Sequence, residues 1–209
     1  MIVLRQVYKY YNEQMILRDV SCVFESGKIY GICGAKGSGK TLLLQLMMGF
    51  SMVNNGTVSI DGKILHQDIP YPTNVGYVIG DMELLPYYDS YENLKQLARI
   101  NHKATDEDIE KTLVRVGLAS SEKVASYTQD MKQRLNLAQA IYEKQDIILL
   151  DEPASSMTED GKKRFRQIVR EEKERGALVI ITMEDREEWK DVCDQIYEIK
   201  ERQLQEIEL

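Results

Sequence analysis

The chain alternates between short apolar runs and longer stretches in which apolar residues recur at helical spacing. Runs rich in Val and Ile favour extended backbone, whereas helical spacing places apolar side chains along one face of a helix. The predicted strands are residues 2–7, 19–24, 28–33, 57–60, 75–79, 146–150, 177–182 and 194–199. The predicted helices, which contain no Pro, are residues 40–49, 91–100, 107–117, 131–144 and 159–175.

Two of the predicted strands are apolar almost throughout, namely IILL at 147–150 and ALVIIT at 177–182. Strands without polar alternation are typical of a parallel sheet that is covered by helices on both faces. The first 80 residues are rich in strands, whereas residues 87–145 contain helices and no convincing strand. The sequence therefore predicts an α/β fold with an N-terminal β subdomain and a helical lobe at about 87–145.

Length and charge restrict the classes of protein to which the chain can belong. With 209 residues, of which 43% are hydrophobic, we expect one domain, residues 1–209, around a sizeable core. No apolar run approaches the roughly 20 residues that span a bilayer, and no N-terminal leader pattern is present, so a soluble cytoplasmic chain is expected. The net charge of -7 and the lack of a Lys/Arg cluster argue against a nucleic-acid partner.

The three cysteines do not suggest a disulfide framework or a metal site. Cys22, Cys33 and Cys193 are odd in number, widely separated and without CxxC spacing. This pattern agrees with a reducing cytosol.

Residues 34–41 read GAKGSGKT and match the phosphate-binding loop GxxxxGK[ST] in full. The motif lies between a predicted strand and a predicted helix, so its glycines can turn successive N–H groups toward phosphates above the positive end of the helix dipole. Lys40 is expected to reach the β and γ phosphates, and the Thr41 hydroxyl to bind Mg²⁺. The residues predicted to bind ATP here are Gly34, Ala35, Lys36, Gly37, Ser38, Gly39, Lys40, Thr41 and Leu42.

An acidic pair, Asp151 and Glu152, follows the apolar strand at 147–150. Two carboxylates at the end of a buried strand need a positive partner, which Mg²⁺ would supply. Taken alone, such a pair also marks a strand end that meets solvent. About 110 residues after a complete phosphate loop, it predicts a metal-binding role for Asp151 and a general-base role for Glu152.

Taken together, these motifs resemble the ATPases of ABC transporters over the full length of the chain. The resemblance implies a P-loop NTPase with an N-terminal antiparallel β subdomain, and it places at Tyr11 the aromatic residue that stacks on adenine, with Tyr10 as the nearest alternative. It also implies ATP and Mg²⁺ as cofactors, with Lys40 and Glu152 acting in hydrolysis. The implied partners are a separately encoded transmembrane subunit and a second nucleotide-binding domain, either identical or different, at the cytoplasmic face of the membrane.

The segment that aligns with the family's LSGGQ signature departs from it. It reads YTQDM at 127–131, so that only the hydroxyl at Thr128 is retained. The signature donates hydrogen bonds to the γ-phosphate held by the opposite subunit, where Asp130 would repel a like charge about 4 Å away by roughly 4 kcal/mol. Asp130 and Gln133 also have the spacing of a capping box, which predicts that Asp130 caps the following helix.

Three further positions differ from the family pattern. The family has a Gln where this chain has Gly80, an Asp where it has Thr158, and the switch His that contacts the γ-phosphate where it has Glu184. These groups would stabilise the transition state, so their exchange predicts a chain that binds ATP and hydrolyses it slowly. Two alternatives stay open: neighbouring groups such as Asp81 or a partner subunit replace them, or the chain is a regulatory ATP-binding module with little turnover.

Overall fold

The computed structural model describes residues 1–80, 82–118 and 121–208. Its first sheet has four strands in the order β2-β1-β4-β5, and every neighbouring pair is antiparallel. Strand β1, one of the two inner strands, buries Ile2, Leu4 and Val7 against the rest of the molecule. The predicted antiparallel β subdomain is therefore confirmed. Its strands are β1 (Ile2–Tyr11), β2 (Gln14–Phe24), β4 (Asn55–Ile60) and β5 (Lys63–Ile64).

The second sheet has six strands in the order β10-β9-β3-β8-β7-β6. All neighbouring pairs are parallel except β9 and β10, which form an antiparallel edge. Every residue of β3, β7 and β8 is buried, as the apolar runs predicted. The strands are β3 (Ile29–Cys33), β6 (Val75–Val78), β7 (Ile147–Leu150), β8 (Leu178–Met183), β9 (Gln195–Lys200) and β10 (Gln203–Ile207).

The described residues form five α-helices, and three of these follow one another between β6 and β7, within the segment predicted to be helical. Two start at capping boxes, with Asp89 and Thr105 as the capping residues, which satisfy N–H groups that a helix leaves unpaired. No helix in the described parts of the chain is long and apolar enough to span a membrane. The helices are α1 (Lys40–Met48), α2 (Ser90–Asn101), α3 (Asp106–Val116), α4 (Gln129–Ile141) and α5 (Glu159–Glu174).

The parallel sheet separates two hydrophobic clusters. Because successive side chains of a strand point to opposite faces, Leu149 packs in the cluster with Leu43 of α1, and Leu150 packs in the cluster with Phe165 of α5. Each fully buried Leu or Phe contributes about 1.5–3 kcal/mol relative to exposure. The burial on both faces fixes the carboxyl ends of the parallel strands, where β3 leads into the phosphate loop and β7 leads to the acidic pair.

Candidate functional site

The phosphate loop joins the carboxyl end of β3 to the first residue of α1. All three of its glycines have backbone angles that other residues rarely adopt, with φ of 154° at Gly34, 78° at Gly37 and 106° at Gly39. A Cβ at Gly34 would also lie 2.7 Å from Ser38 Oγ, and one at Gly39 would lie 3.1 Å from Ile16 Cγ2. The loop therefore depends on glycine for both its conformation and its close packing.

Lys40 lies beneath this loop and is only 4% exposed. Its Nζ donates to the carbonyl oxygens of Gly34 at 2.7 Å and Ala35 at 3.2 Å. It also forms an ion pair with Glu152 Oε1 at 3.3 Å. A buried ammonium is costly unless it is paired, and these three acceptors stabilise the Lys40 ammonium beneath the loop.

Asp151 lies at the carboxyl end of β7 and accepts two hydroxyl hydrogen bonds. Thr41 Oγ1 donates to its Oδ2 at 2.7 Å, and Thr182 Oγ1 donates to its Oδ1 at 2.6 Å. Thr41 and Asp151 thus bring hydroxyl and carboxylate oxygens together, the donor set that Mg²⁺ prefers. The sequence-predicted metal pair is adjacent in space, and the donor chemistry fits the ion.

Glu152 is held by its backbone as well as by its ion pair with Lys40. Its N–H donates to Thr182 Oγ1 at 2.9 Å. Its φ of 44° is unusual for a residue with a side chain, a form of strain that is often found at functional sites. Thr182 therefore connects both acidic residues to β8, and it is a site residue that the sequence did not single out.

An open cleft of roughly 570 Å³ lies over the phosphate loop. This volume is within the range of about 300–1,000 Å³ that is typical of small-molecule sites. Among the described residues, the cleft is lined by Tyr11 and not by its alternative Tyr10. Gly34, Ala35 and Ser38 lie in the loop without lining the cleft, and Ile16 and Gln45 are additional lining residues. The predicted site residues that line it are Tyr11, Lys36, Gly37, Gly39, Lys40, Thr41, Leu42, Asp151 and Glu152.

Tyr11 is 67% exposed, which leaves its ring free to pack against a planar ligand at the rim of the cleft. We expect Tyr11→Ala to weaken ATP binding and Tyr11→Phe to retain most of the affinity, because stacking depends on the ring rather than the hydroxyl. Titration of both variants with a fluorescent ATP analogue measures the difference. Equal affinities of the Ala and Phe variants would assign Tyr11 to packing alone.

The segment aligned with the signature has a different local structure from the one predicted. Thr128 is the N-cap of α4, and its hydroxyl accepts a hydrogen bond from Met131 N at 3.2 Å. Asp130 lies inside the first turn of the helix, so the predicted capping box of Asp130 and Gln133 is wrong. The helix begins two residues earlier than the predicted start because the hydroxyl of Thr128 takes the capping role.

The carboxylate of Asp130 is turned toward other residues of the same chain. Its Oδ1 accepts from Thr158 N at 2.9 Å and from Thr158 Oγ1 at 3.0 Å, and its Oδ2 pairs with an Arg134 nitrogen at 2.8 Å. Burial favours the neutral acid, but the Thr158 hydrogen bonds and the Arg134 charge lower the pKa of Asp130 below its usual value. The expected repulsion between Asp130 and a phosphate of the opposite subunit stays a prediction, and the structure adds that Arg134 balances the charge of Asp130.

The remaining departures lie on the surface. Glu184 follows β8 and is exposed, and Gly80 follows β6 with open space around the position of a Cβ. Asp81, the possible replacement for the family's Gln, lies outside the described residues. An acid thus stands at the switch position directly after Met183, which pairs with Cys33 at the start of the phosphate loop, and no side chain extends from position 80.

Comparison with known proteins agrees with this arrangement. The profile of the family described as ABC transporter matches residues 17–155. The ABC transporter ATP-binding protein YybJ of Bacillus subtilis is 42% identical over 207 residues, which cover 98% of this chain and 95% of YybJ. YdbJ of the same organism, also named an ABC transporter ATP-binding protein, is 33% identical over 92% of this chain, and the match spans 64% of YdbJ.

Two solved structures have the same fold. An ATP-binding cassette, solved as a dimer in a post-hydrolysis state with ADP and Pi, superposes with a TM-score of 0.88 over 100% of this chain and 99% of its own. An ATP-binding subunit of an ABC transporter superposes with a TM-score of 0.86 over 98% and 88%. Both are 21% identical to this chain, so they bear on the fold alone. From the profile match and the 42% identity to YybJ, the chain belongs to the ABC transporter family, among its ATP-binding proteins.

Proposed function

We propose that this chain is a single nucleotide-binding domain, with a helical lobe at about 87–145, that binds MgATP and drives a transporter. The observation that carries the proposal is the cluster in which Lys40, Thr41, Asp151 and Glu152 meet beneath one cleft. The phosphates of ATP would lie on the backbone of residues 34–41, with adenine on Tyr11. This assignment uses Lys40, Asp151 and Glu152 of the cleft wall, each in a role suited to its charge.

Lys40 has one role before the nucleotide binds and another after it. In the free chain its ammonium is shared between two loop carbonyls and Glu152. Phosphate oxygens carry more negative charge than carbonyl oxygens, so they would attract the ammonium and weaken its ion pair with Glu152. Binding of ATP would in this way release the carboxylate of Glu152, which then accepts a proton from an attacking water.

Mg²⁺ would be held by Thr41 Oγ1 and Asp151 Oδ2, and it would neutralise charge that develops on the phosphates. To reach the ion, the Thr41 hydroxyl would give up its hydrogen bond to Asp151. Thr182 would keep the carboxylate of Asp151 oriented through its Oδ1. The chain's own residues thus arrange the oxygen ligands before the nucleotide arrives.

Hydrolysis by this chain alone is proposed to be slow. The exposed acid at Glu184 adds negative charge near the phosphate loop, where the transition state already concentrates it. At the signature position, the Thr128 hydroxyl accepts from Met131 N, and the carboxylate of Asp130 is paired with Arg134. A regulatory ATP-binding module with little turnover is the second candidate, and Glu184 is the observation that favours it.

The proposed partners are a second nucleotide-binding domain, identical or different, and a separately encoded membrane subunit at the cytoplasmic face. Support comes from the relatives named as ABC transporter ATP-binding proteins and from the dimer formed by the cassette with the same fold. With a net charge of -7, nucleic acid is not a proposed partner.

Affinity purification of a tagged chain from detergent-solubilised membranes of its own cells tests this proposal. We expect a membrane protein to copurify in constant ratio, together with either one or two kinds of nucleotide-binding chain. Recovery of the chain without any membrane protein would favour the regulatory module. Copurification of ribosomes or DNA would contradict the transporter assignment.

A further inference from the structure

The structure assigns a positioning role to Asp130: together with Arg134 and Thr158, it connects the first turn of α4 to the loop that carries Glu152. We call these three residues the Asp130 cluster. The inference rests on the proposed role of Glu152 in hydrolysis. It differs from the expectation drawn from the sequence, in which Asp130 repels the γ-phosphate and caps the following helix.

The Asp130 cluster is a buried, charge-balanced contact between distant parts of the chain. Asp130 is 9% exposed, and its carboxylate accepts from both the N–H and the hydroxyl of Thr158, a residue 28 positions away. The charge of Arg134, one helical turn later, balances it at 2.8 Å. A buried carboxylate is stable only when it is paired and hydrogen-bonded in this way.

Gly161 leaves the space that the carboxylate needs. A Cβ at position 161 would lie 2.3 Å from Asp130 Oδ1, which is too close for any real contact. Thr158 in turn caps α5, because its Oγ1 accepts from Gly161 N at 3.2 Å. The hydroxyl of Thr158 therefore donates to α4 and accepts from α5, which joins the starts of the two helices.

The loop from Glu152 to Thr158 is fixed at both ends. At the first end, Glu152 N donates to Thr182 Oγ1, and at the other end Thr158 donates twice to Asp130. Between them, Ala154 and Met157 are buried in the core cluster. A loop this short, anchored at both ends and in the middle, transmits a shift of α4 to the backbone of Glu152.

The functional consequence is that α4 and the loop from Glu152 to Thr158 move together. Arg134 strengthens this connection, because its Nη1 also donates to the carbonyl oxygens of Val116 and Gly117 at the end of α3. A partner that displaces the helical segment would therefore reposition Glu152 relative to Lys40. The Asp130 cluster thus makes the position of Glu152 depend on the position of α3 and α4, which lie outside the ATP cleft.

Amide hydrogen exchange, read by mass spectrometry on peptides that cover residues 152–158, tests this role. We expect Asp130→Ala to accelerate exchange there by about 10- to 100-fold, the range set by loss of charge-assisted hydrogen bonds. Thr158→Asp alone should also accelerate exchange, because it brings two carboxylates into contact. The double variant Asp130→Ala/Thr158→Asp places one acid on the opposite side of the contact, within reach of Arg134, and should restore most of the protection.

Rescue by the double variant is the outcome that a general loss of stability would not produce. Unchanged exchange at 152–158 in Asp130→Ala, or a double variant that exchanges faster than either single variant, would overturn the inference. Asp130→Asn keeps the shape of the side chain and loses only its charge. It should accelerate exchange several-fold, and wild-type protection in this variant would equally overturn the role of the charge.

Two controls keep this inference separate from the proposed function. Peptides from β1 should exchange at the wild-type rate in every variant, since that strand lies in the other sheet. A titration of the wild-type chain with MgATP tests the proposed function by itself. Failure to bind ATP would overturn that function, while the exchange data would still decide whether the Asp130 cluster positions the loop.

Discussion

Lys40→Ala is expected to lower the affinity of the chain for ATP by at least about 10- to 100-fold, the equivalent of one lost charged hydrogen bond at about 1.5–3 kcal/mol. The reason is that Lys40 is the cation held within the phosphate loop, where its Nζ lies 2.7 Å from Gly34 O. Without it, the loop offers the phosphates its backbone N–H groups, its hydroxyls and the exposed Lys36, but no buried cation. Titration with a fluorescent ATP analogue in the presence of Mg²⁺ gives the two dissociation constants.

Lys40→Met is the matched variant, because it keeps an unbranched apolar stem in the buried site and removes only the charge. It should lose as much affinity as Lys40→Ala. Lys63→Ala, on an exposed strand of the antiparallel sheet, controls for net charge and should bind like the wild type. ATP affinity that is unchanged in both Lys40 variants would show that the nucleotide binds elsewhere.

The second large effect concerns turnover. We expect the purified wild-type chain to hydrolyse saturating ATP slowly or undetectably, and we expect a variant with restored γ-phosphate donors to be faster by about 10²-fold or more. One oxyanion-type donor is commonly worth a factor of about 10² to 10³ in turnover, so several exchanges have a large combined effect. The restored variant combines Glu184→His, Thr128→Ser, Gln129→Gly, Asp130→Gly and Thr158→Asp.

Thr158→Asp belongs in that variant for a structural reason. Asp130→Gly alone would remove the acceptor of both Thr158 hydrogen bonds and leave Arg134 without its ion pair. A carboxylate at 158 replaces the lost charge on the other side of the contact. The same set without Thr158→Asp is therefore expected to be slower than the full set, although its signature segment is identical.

Glu152→Gln, introduced into the restored variant, shows whether the added ATP turnover depends on Glu152 as the base. It should abolish the added turnover while ATP binding persists, because an amide cannot accept the proton of the attacking water. Steady-state release of phosphate at saturating ATP is the measurement. Brisk wild-type turnover that none of the restoring substitutions improves would contradict the account of slow hydrolysis.

The central part of the site was predictable from the sequence because its residues occupy the ends of parallel strands. Gly34 follows β3 and Asp151 follows β7, and the carboxyl ends of parallel strands meet at one edge of the sheet. The approach of Thr41 to Asp151 follows from that geometry. The local motifs were therefore sufficient to predict this part of the site, although no long-range contact was known in advance.

Thr182 was missed because its role depends on strand register. Leu150 of β7 pairs with Ile181 of β8, which sets the next residues, Asp151 and Thr182, side by side. In the sequence, Thr182 ends an apolar run and resembles any strand residue. A buried hydroxyl at the carboxyl end of a central strand is the signal that was available, but its partner depends on pairing that no local pattern gives.

Asp130 was misinterpreted for a related reason. The spacing of Asp130 and Gln133 satisfies the local rule for a capping box, yet Thr128 takes the capping position and Asp130 pairs with Thr158, 28 residues away. A tertiary contact thus outweighed a local preference. Strand β10 was overlooked as well, because its sequence QLQEI is mostly polar and it lies at the edge of the sheet.

The most direct test of the proposed ATP site is a crystal structure of the chain with a non-hydrolysable ATP analogue and Mg²⁺. The account predicts phosphates on the N–H groups of residues 34–41, the adenine against Tyr11, and Lys40 turned from Glu152 toward the phosphates. Mg²⁺ should lie beside Thr41 and Asp151, about 2.0–2.1 Å from each oxygen that ligates it directly. Nucleotide found outside this cleft, or Lys40 still paired with Glu152 in the bound state, would contradict it.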